Sequence, residues 1–169
     1  MDQANFSIRP MTIDDGKSVL DIFKQGIDFG LATFETEVPT WDAWDREFYN
    51  FSRFVVKNTE GKIVGWAAIK PVSKRECFAG VAEVSVYIHQ DFQRLGLGKR
   101  LLQQLITDSE EHGIWLLQAG IFPQNEGSIL LHQNAGFRKV GFREKMGKLN
   151  GNWEDVVLLE RRSKIVGIS

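Results

Sequence analysis

The chain has 169 residues, 43% of them apolar and 25% charged, with 21 lysines and arginines against 22 acids and a formal net charge of -1. That length suits one domain spanning residues 1–169 and buries roughly 70% of the unfolded surface. The composition excludes disorder and fibre as main themes, and the charge balance leaves no overall positive field to hold a nucleic acid.

In chain order, Met1 to Phe6 have neither a basic start nor an apolar run, and no stretch of about 18 apolar residues occurs anywhere. The expectation is a soluble cytoplasmic protein with no membrane partner. Phe6, Ile8 and Arg9-Pro10 read as a first strand. Thr12 to Asp15 has the spacing of a capping box, and Val19, Leu20, Ile22, Phe23 and Ile27 continue it as a helix to Phe29. Gly30 to Pro39 has no clear period, after which Thr40 caps a short aromatic helix through Phe48. Arg53–Lys57 and Ile63–Ile69, joined across Asn58-Thr59-Glu60-Gly61, predict a β-hairpin. Pro71 to Gly80 is a polar connection containing Cys77, the single cysteine, which excludes an intrachain disulfide and a multi-cysteine zinc site. The stretch Val81 to Ile88 alternates Val84, Val86 and Ile88 with Glu83, Ser85 and Tyr87, a strand with one polar face. A helix from Gly98 to Glu111 and a buried strand from Ile114 to Ile121 complete a β-α-β unit. A helix from Gly127 to Ala135 and strands Phe137–Met146 and Trp153–Leu159 close the chain. The predicted class is α/β (α+β), a mixed, mostly antiparallel sheet flanked by helices.

Gln93-Arg94-Leu95-Gly96-Leu97-Gly98-Lys99 comes just after a strand and opens a helix. Glycines there permit a tight turn, and free amides at the helix start form an anion site suited to a pyrophosphate. The Walker pattern requires a longer loop with Lys and Ser or Thr. The dinucleotide fingerprint requires a small residue where Leu101 stands, so neither fits. With Asn125-Glu-Gly-Ser128-Ile-Leu-Leu131-His132-Gln-Asn-Ala-Gly136-Phe137 downstream, the chain resembles the GCN5-related N-acetyltransferase (GNAT) superfamily. That superfamily's signature, Gln/Arg-x-x-Gly-x-Gly/Ala, is matched by Gln93, Gly96 and Gly98. His132, where many members carry tyrosine, is similar to the branch that acetylates phosphinothricin and methionine sulfoximine. So are Ala32–Glu37, Ala82–Ile88 and Gly151–Val156.

The resemblance implies the GNAT fold, a homodimer, and acetyl-CoA as co-substrate with no metal. It implies that the backbone of Val86, Tyr87 and Ile88 pairs with the pantetheine arm. The loop Arg94, Leu95, Gly96, Leu97, Gly98 and Lys99 would hold the pyrophosphate, with Asn125 and Ser128 as further cofactor contacts. The reaction implied is direct transfer of acetyl to the α-amine of a small amino acid or analogue such as methionine sulfoximine, methionine sulfone or phosphinothricin. An α-ammonium of pKa about 8 is only about a tenth neutral at pH 7, so a base is useful, and Glu83 matches that role. Its bland alternative is a strand glutamate paired with a lysine. His132 is open between general acid toward the leaving thiolate and a helix-face hydrogen bond. Substrate contacts are expected from Phe34, Thr36 and Glu37 in the first loop, from Arg75 as a carboxylate ligand, and from Phe78 and Trp153. Phe78 stands where relatives have tyrosine, and Ala79 and Gly80 where they often carry a basic and an aromatic residue, which predicts an altered pocket. Two other readings remain: acetylation of a protein or peptide amine by the same fold, and a non-catalytic acetyl-CoA-binding module.

Overall fold

A computed structural model describes residues 5–169. Residues 1–4, part of the stretch read as carrying no leader, lie outside the described residues. The strand β1 (Phe6–Pro10) ends at its proline, and Asp15 organises the entry to the first helix. Its carboxylate accepts the Thr12 backbone N–H at 2.8 Å and takes both ends of the Arg9 guanidinium at 2.7 Å. A short 3-10 turn then runs into α1 (Gly16–Phe29). Asp15 is buried at 5% exposure. Burial alone would raise its pKa, but the bonds from Arg9 and Thr12 outweigh it and hold the carboxyl below its ordinary value. A depressed folded-state pKa means stability that is present above the unfolded value near 4 and lost as pH falls through the folded one. Asp15→Asn is therefore expected to lower stability by about 1–3 kcal/mol in urea unfolding at pH 7. The gap from the wild type should close as the pH is lowered below about 4.

Thr40 caps α2 (Trp41–Glu47) by accepting the Ala43 N–H at 3.2 Å. Next come β2 (Phe54–Asn58) and β3 (Ile63–Pro71), whose turn is tied by Asn58 Oδ1 accepting from Glu60 and Lys62. β3 is apolar from Ile63 to Ile69 because both of its faces are covered. Ala67 and Ile69 meet Leu101, Leu102 and Leu105 of α3 (Leu97–Glu111). On the other face Trp66 and Ala68 meet Val19, Ile22 and Phe23 of α1 and Trp44 of α2. Each such fully buried aliphatic side chain contributes roughly 1.5–3 kcal/mol relative to exposure. β4 (Val81–Ile88) keeps its alternation because one face borders a cavity.

The seven strands order as β1-β2-β3-β4-β5-β7-β6, with β5 Leu116–Ile121, β6 Arg138–Leu149 and β7 Asn152–Arg162. Among the described residues only β4 and β5 pair in parallel, so the sheet is mixed and mostly antiparallel, as expected. Helix α4 (Glu126–Asn134) joins β5 to β6. Among the boundaries that differ from the sequence reading, two have a visible physical reason. β5 starts at Leu116 rather than Ile114, because the Ile114 N–H closes the end of α3 on Ser109 O and the Trp115 and Leu116 N–H groups both bond to Gly80 O. β6 continues past Met146 to Leu149 through a bulge in which residues 144–146 of β6 oppose Asp155 alone, whose carboxylate accepts the Lys145 N–H at 2.7 Å.

Candidate active site

The parallel pairing of β4 with β5 lasts only three residues, Val81 to Glu83 against Leu116 to Gln118. Beyond Glu83 the two strands part, while β4 stays paired to β3 as far as Ile88. The β5-facing edge of Val84 to Ile88 therefore has no strand partner, and a cavity of about 410 Å³ opens between the separating strands. Glu83 stands at the apex of this V. Its side chain is 39% exposed and its register partner on β3, Lys70, brings Nζ to 3.9 Å. Lys70 is bonded more closely to Glu47 Oε1, at 2.7 Å, and lies over the Phe48 ring. The lysine pairing that the sequence held against a catalytic Glu83 is thus loose.

On the α4 side of the cavity lie Asn125, Ser128 and His132. Asn125 caps α4, its Oδ1 accepting the Ser128 N–H, while its Nδ2 donates to Leu31 O at 3.1 Å. Its side chain is consumed in tying α4 to the first loop. His132 is 4% exposed, and its Nδ1 lies 2.7 Å from Ser128 O. A carbonyl only accepts, so Nδ1 carries the hydrogen and Nε2 of the neutral ring is an acceptor. Burial lowers the pKa of the imidazole and the bond to Ser128 offsets part of this, which keeps the ring neutral at pH 7. The Tyr87 hydroxyl donates to Ala32 O at 3.2 Å, and burial, with secondary repulsion from Glu83 and Glu35, pushes its pKa well up. It stays protonated throughout the physiological range.

The aromatic wall is built by α1, α2 and β3. Trp66 meets the rings of Phe23, Trp44 and Phe48 edge to face and stacks on Tyr87 at 4.9 Å. Gly26 permits this approach, since a Cβ there would stand 2.5 Å from the Tyr87 ring. Phe34 packs edge-on to Phe122 at 4.8 Å and lies over Gly147 of β6, where a Cβ would come to 2.9 Å.

At the far end of β4 the signature loop bends through Arg94 (φ 62°) and Gly96 (φ 74°) into the first turn of the fifteen-residue α3. Leu97 is buried and Leu95 packs on the same core, so these two anchor the loop and leave its main-chain amides to face an anion. Gly98 faces Leu131 of α4, which a Cβ would meet at 3.3 Å. Open peptide groups on the β4 edge suit an extended amide-bearing arm, and the α3 amides, with Lys99 beside them, suit a pyrophosphate. The residues present fit acetyl-CoA.

Of the predicted substrate residues only Phe34 lines the cavity. Thr36 and Glu37 are exposed in the first loop. Arg75 lies over the Phe78 ring at 5.3 Å beside a 3-10 turn (Glu76–Phe78), and Trp153 is 55% exposed beneath the Lys148 ammonium. Gly80 is packed beneath Trp115. The sequence missed Glu47, Lys70, Gln118, Arg143 and Met146, all at the cavity. Lys70 is set against Glu83 by the register of β3 on β4, a pairing the sequence reading did not contain. Arg143 and Met146 had no signal, because the register shifts on either side of Arg143 are not readable from residue types.

Among the described residues no group of three His, Cys, Asp or Glu side chains converges as metal ligands, and no helix is long and apolar enough to cross a membrane. Residues 25–137 match the acetyltransferase (GNAT) family model. The chain is 31% identical to the phosphinothricin N-acetyltransferase of Streptomyces viridochromogenes, over 91% of this chain and 86% of that one. It is 28% identical to the L-methionine sulfoximine/L-methionine sulfone acetyltransferase of Pseudomonas aeruginosa, over 91% and 92% respectively. The solved structure of yncA from Salmonella typhimurium with its cofactor acetyl-CoA superposes with a TM-score of 0.85 at 26% identity, covering 94% of each chain. The split sheet, the glycine-bent loop and these likenesses converge on one assignment: the chain belongs to the GNAT family of acetyltransferases.

Proposed function

We propose that the protein transfers acetyl from acetyl-CoA to the α-amine of a small amino acid or analogue of the phosphinothricin or methionine sulfoximine kind, with Glu83 accepting the proton. The observation that carries this reading is the parting of β4 and β5 at Glu83, which sets a half-exposed carboxylate at the apex of a walled cavity. The relatives named for those two substrates support the substrate class.

Acetyl-CoA supplies the thioester that is attacked. The open edge of Val86, Tyr87 and Ile88 holds its amide-bearing arm, and the main chain from Arg94 to Lys99 holds its phosphates. Glu83, directly or through one water, takes the proton from the substrate ammonium so that a lone pair is free to attack the carbonyl carbon. As the C–S bond breaks, its electron pair leaves with the sulfur as a thiolate of pKa about 8.5, which needs little help and takes up the second proton that the nitrogen sheds on becoming an amide. The neutral His132 ring, with Nδ1 committed to Ser128 O, serves in this scheme as a wall and an acceptor through Nε2 rather than as the resting proton donor. Asn125 positions the first loop over the cavity rather than reaching for the cofactor with its side chain. The working form is proposed to be a cytoplasmic homodimer, joined through the exposed apolar residues Val140, Phe142 and Trp153 of β6 and β7. Light scattering on the purified chain would report a monomer if that is wrong.

The test of function is acetyl-CoA-dependent thiol release against methionine sulfoximine, methionine sulfone, phosphinothricin, ordinary amino acids, polyamines and short peptides. Saturable release with one of the first three is expected. Release with peptides alone would transfer the reading to a protein amine, and silence with acetyl-CoA still bound would leave a binding module.

A further inference from the structure

We infer that Arg143 is the residue that binds the substrate's α-carboxylate and so selects free amino acids over other amines. This rests on the proposed amino-acid acetylation. The geometry begins with the register of β6 on β7: Arg143 is paired with Val156 in the last step before the bulge, and Gly147 resumes the pairing opposite Glu154. Directly opposed residues present their side chains to the same face of a sheet, and Val156 lines the cavity, so Arg143 stands on the cavity face as well. The Asp155 carboxylate, holding the Lys145 N–H, fixes the bulge that follows directly on Arg143.

Charge pairing singles Arg143 out. Three carboxylates, Glu35, Glu47 and Glu83, and two cations, Lys70 and Arg143, border the cavity. Lys70 is already matched to Glu47 at 2.7 Å and approaches Glu83 at 3.9 Å. Among the described residues the Arg143 side chain has no hydrogen bond and no ion pair. An amino-acid zwitterion brings one ammonium and one carboxylate. Proton transfer requires the ammonium to sit at Glu83, which leaves the carboxylate to the one cation of the cavity that is not otherwise engaged. A guanidinium receives a carboxylate through two parallel N–H bonds, which fixes orientation as well as charge. Arg75, the sequence's candidate for this role, is instead stacked on Phe78 away from the cavity.

The experiment compares L-methionine sulfoximine with its methyl ester on the wild type, Arg143→Leu and Arg143→Lys, together with the Kd of acetyl-CoA for each. The wild type is expected to prefer the free acid. Arg143→Leu should raise the KM of the acid by roughly 10- to 100-fold with a smaller change in kcat, and should erase the preference. Arg143→Lys should restore part of it, since it keeps charge without the two-pronged geometry. An unchanged acid-to-ester ratio in Arg143→Leu, or a weakened acetyl-CoA Kd in place of a raised KM, overturns the assignment while leaving amino-acid acetylation standing. A wild type that acetylates no free amino acid overturns both. The exposed, unbonded position of Arg143 makes unfolding of these variants an unexpected outcome, and a thermal melt checks it directly.

Discussion

Glu83→Gln is expected to lower kcat by about 100- to 10,000-fold, the span usual for loss of a positioned base, while acetyl-CoA binds as before. The amide keeps the volume of the carboxylate and some of its hydrogen bonding but cannot take up a proton at neutral pH. Little else changes: Lys70 keeps its 2.7 Å bond to Glu47, so removing the charge at 3.9 Å strands no buried cation. The thermal midpoint should accordingly move by no more than a few degrees. The cofactor should be indifferent, because the open edge of Val84 to Ile88 and the amides of α3 lie beyond Glu83 along β4. Equilibrium binding of acetyl-CoA and steady-state kinetics with saturating amine separate the effects. A rate within about threefold of wild type would remove Glu83 from proton transfer and leave the substrate to arrive already neutral. Weakened acetyl-CoA binding would make Glu83 part of the cofactor site.

The regular elements were legible because each carries its own period. The α1 stripe of Val19, Ile22 and Phe23, the Leu101-Leu102-Leu105-Ile106 stripe of α3 and the alternation around Glu83 are all local patterns, and each emerged where the spacing put it. The candidate base was legible for the same reason, since a polar face on a strand flanked by buried residues needs a use. The cavity was not. It exists because β4 and β5 stop pairing after Glu83, and where two distant strands separate depends on tertiary packing rather than on either strand's composition. The sequence's carboxylate-binding candidate, Arg75, lies outside the cavity lining for a different reason. Residues 76–78 fold into their own 3-10 turn, and the Arg75 guanidinium lies over the Phe78 ring, a local contact that residue identity does not announce. Arg143 takes the cavity face after a register shift between Lys139 and Gly141, and such a shift changes which face a residue occupies without leaving a mark in the hydrophobic pattern. Asn125 was found from its motif and lies at the cavity, while the bonds of its side chain to Leu31 and to the start of α4 carry no mark in the sequence.

Gly80→Ala is expected to destabilise the protein by about 1–3 kcal/mol without changing the KM for either substrate. The sequence places Gly80 among residues that shape a pocket; its surroundings give it another task. A Cβ at this position would fall 2.0 Å from the Trp115 ring, far inside contact distance, so the indole or the strand must move. Neither moves freely. The Gly80 carbonyl accepts the N–H groups of both Trp115 and Leu116, which is the step that starts β5 beside β4. The Trp115 carbonyl in turn accepts from Ser163 N at 2.8 Å and from the Arg162 guanidinium, which also gathers the carbonyls of Val166 and Gly167. Displacing the indole therefore loosens the joint between β4, β5 and the C-terminal segment, on the paired side of Glu83, while the separated side that forms the cavity keeps its walls. Urea unfolding monitored by tryptophan fluorescence should show a lower midpoint with an unchanged slope. A raised KM at full stability would instead return Gly80 to the pocket and would mean that the Trp115 ring yields at no cost.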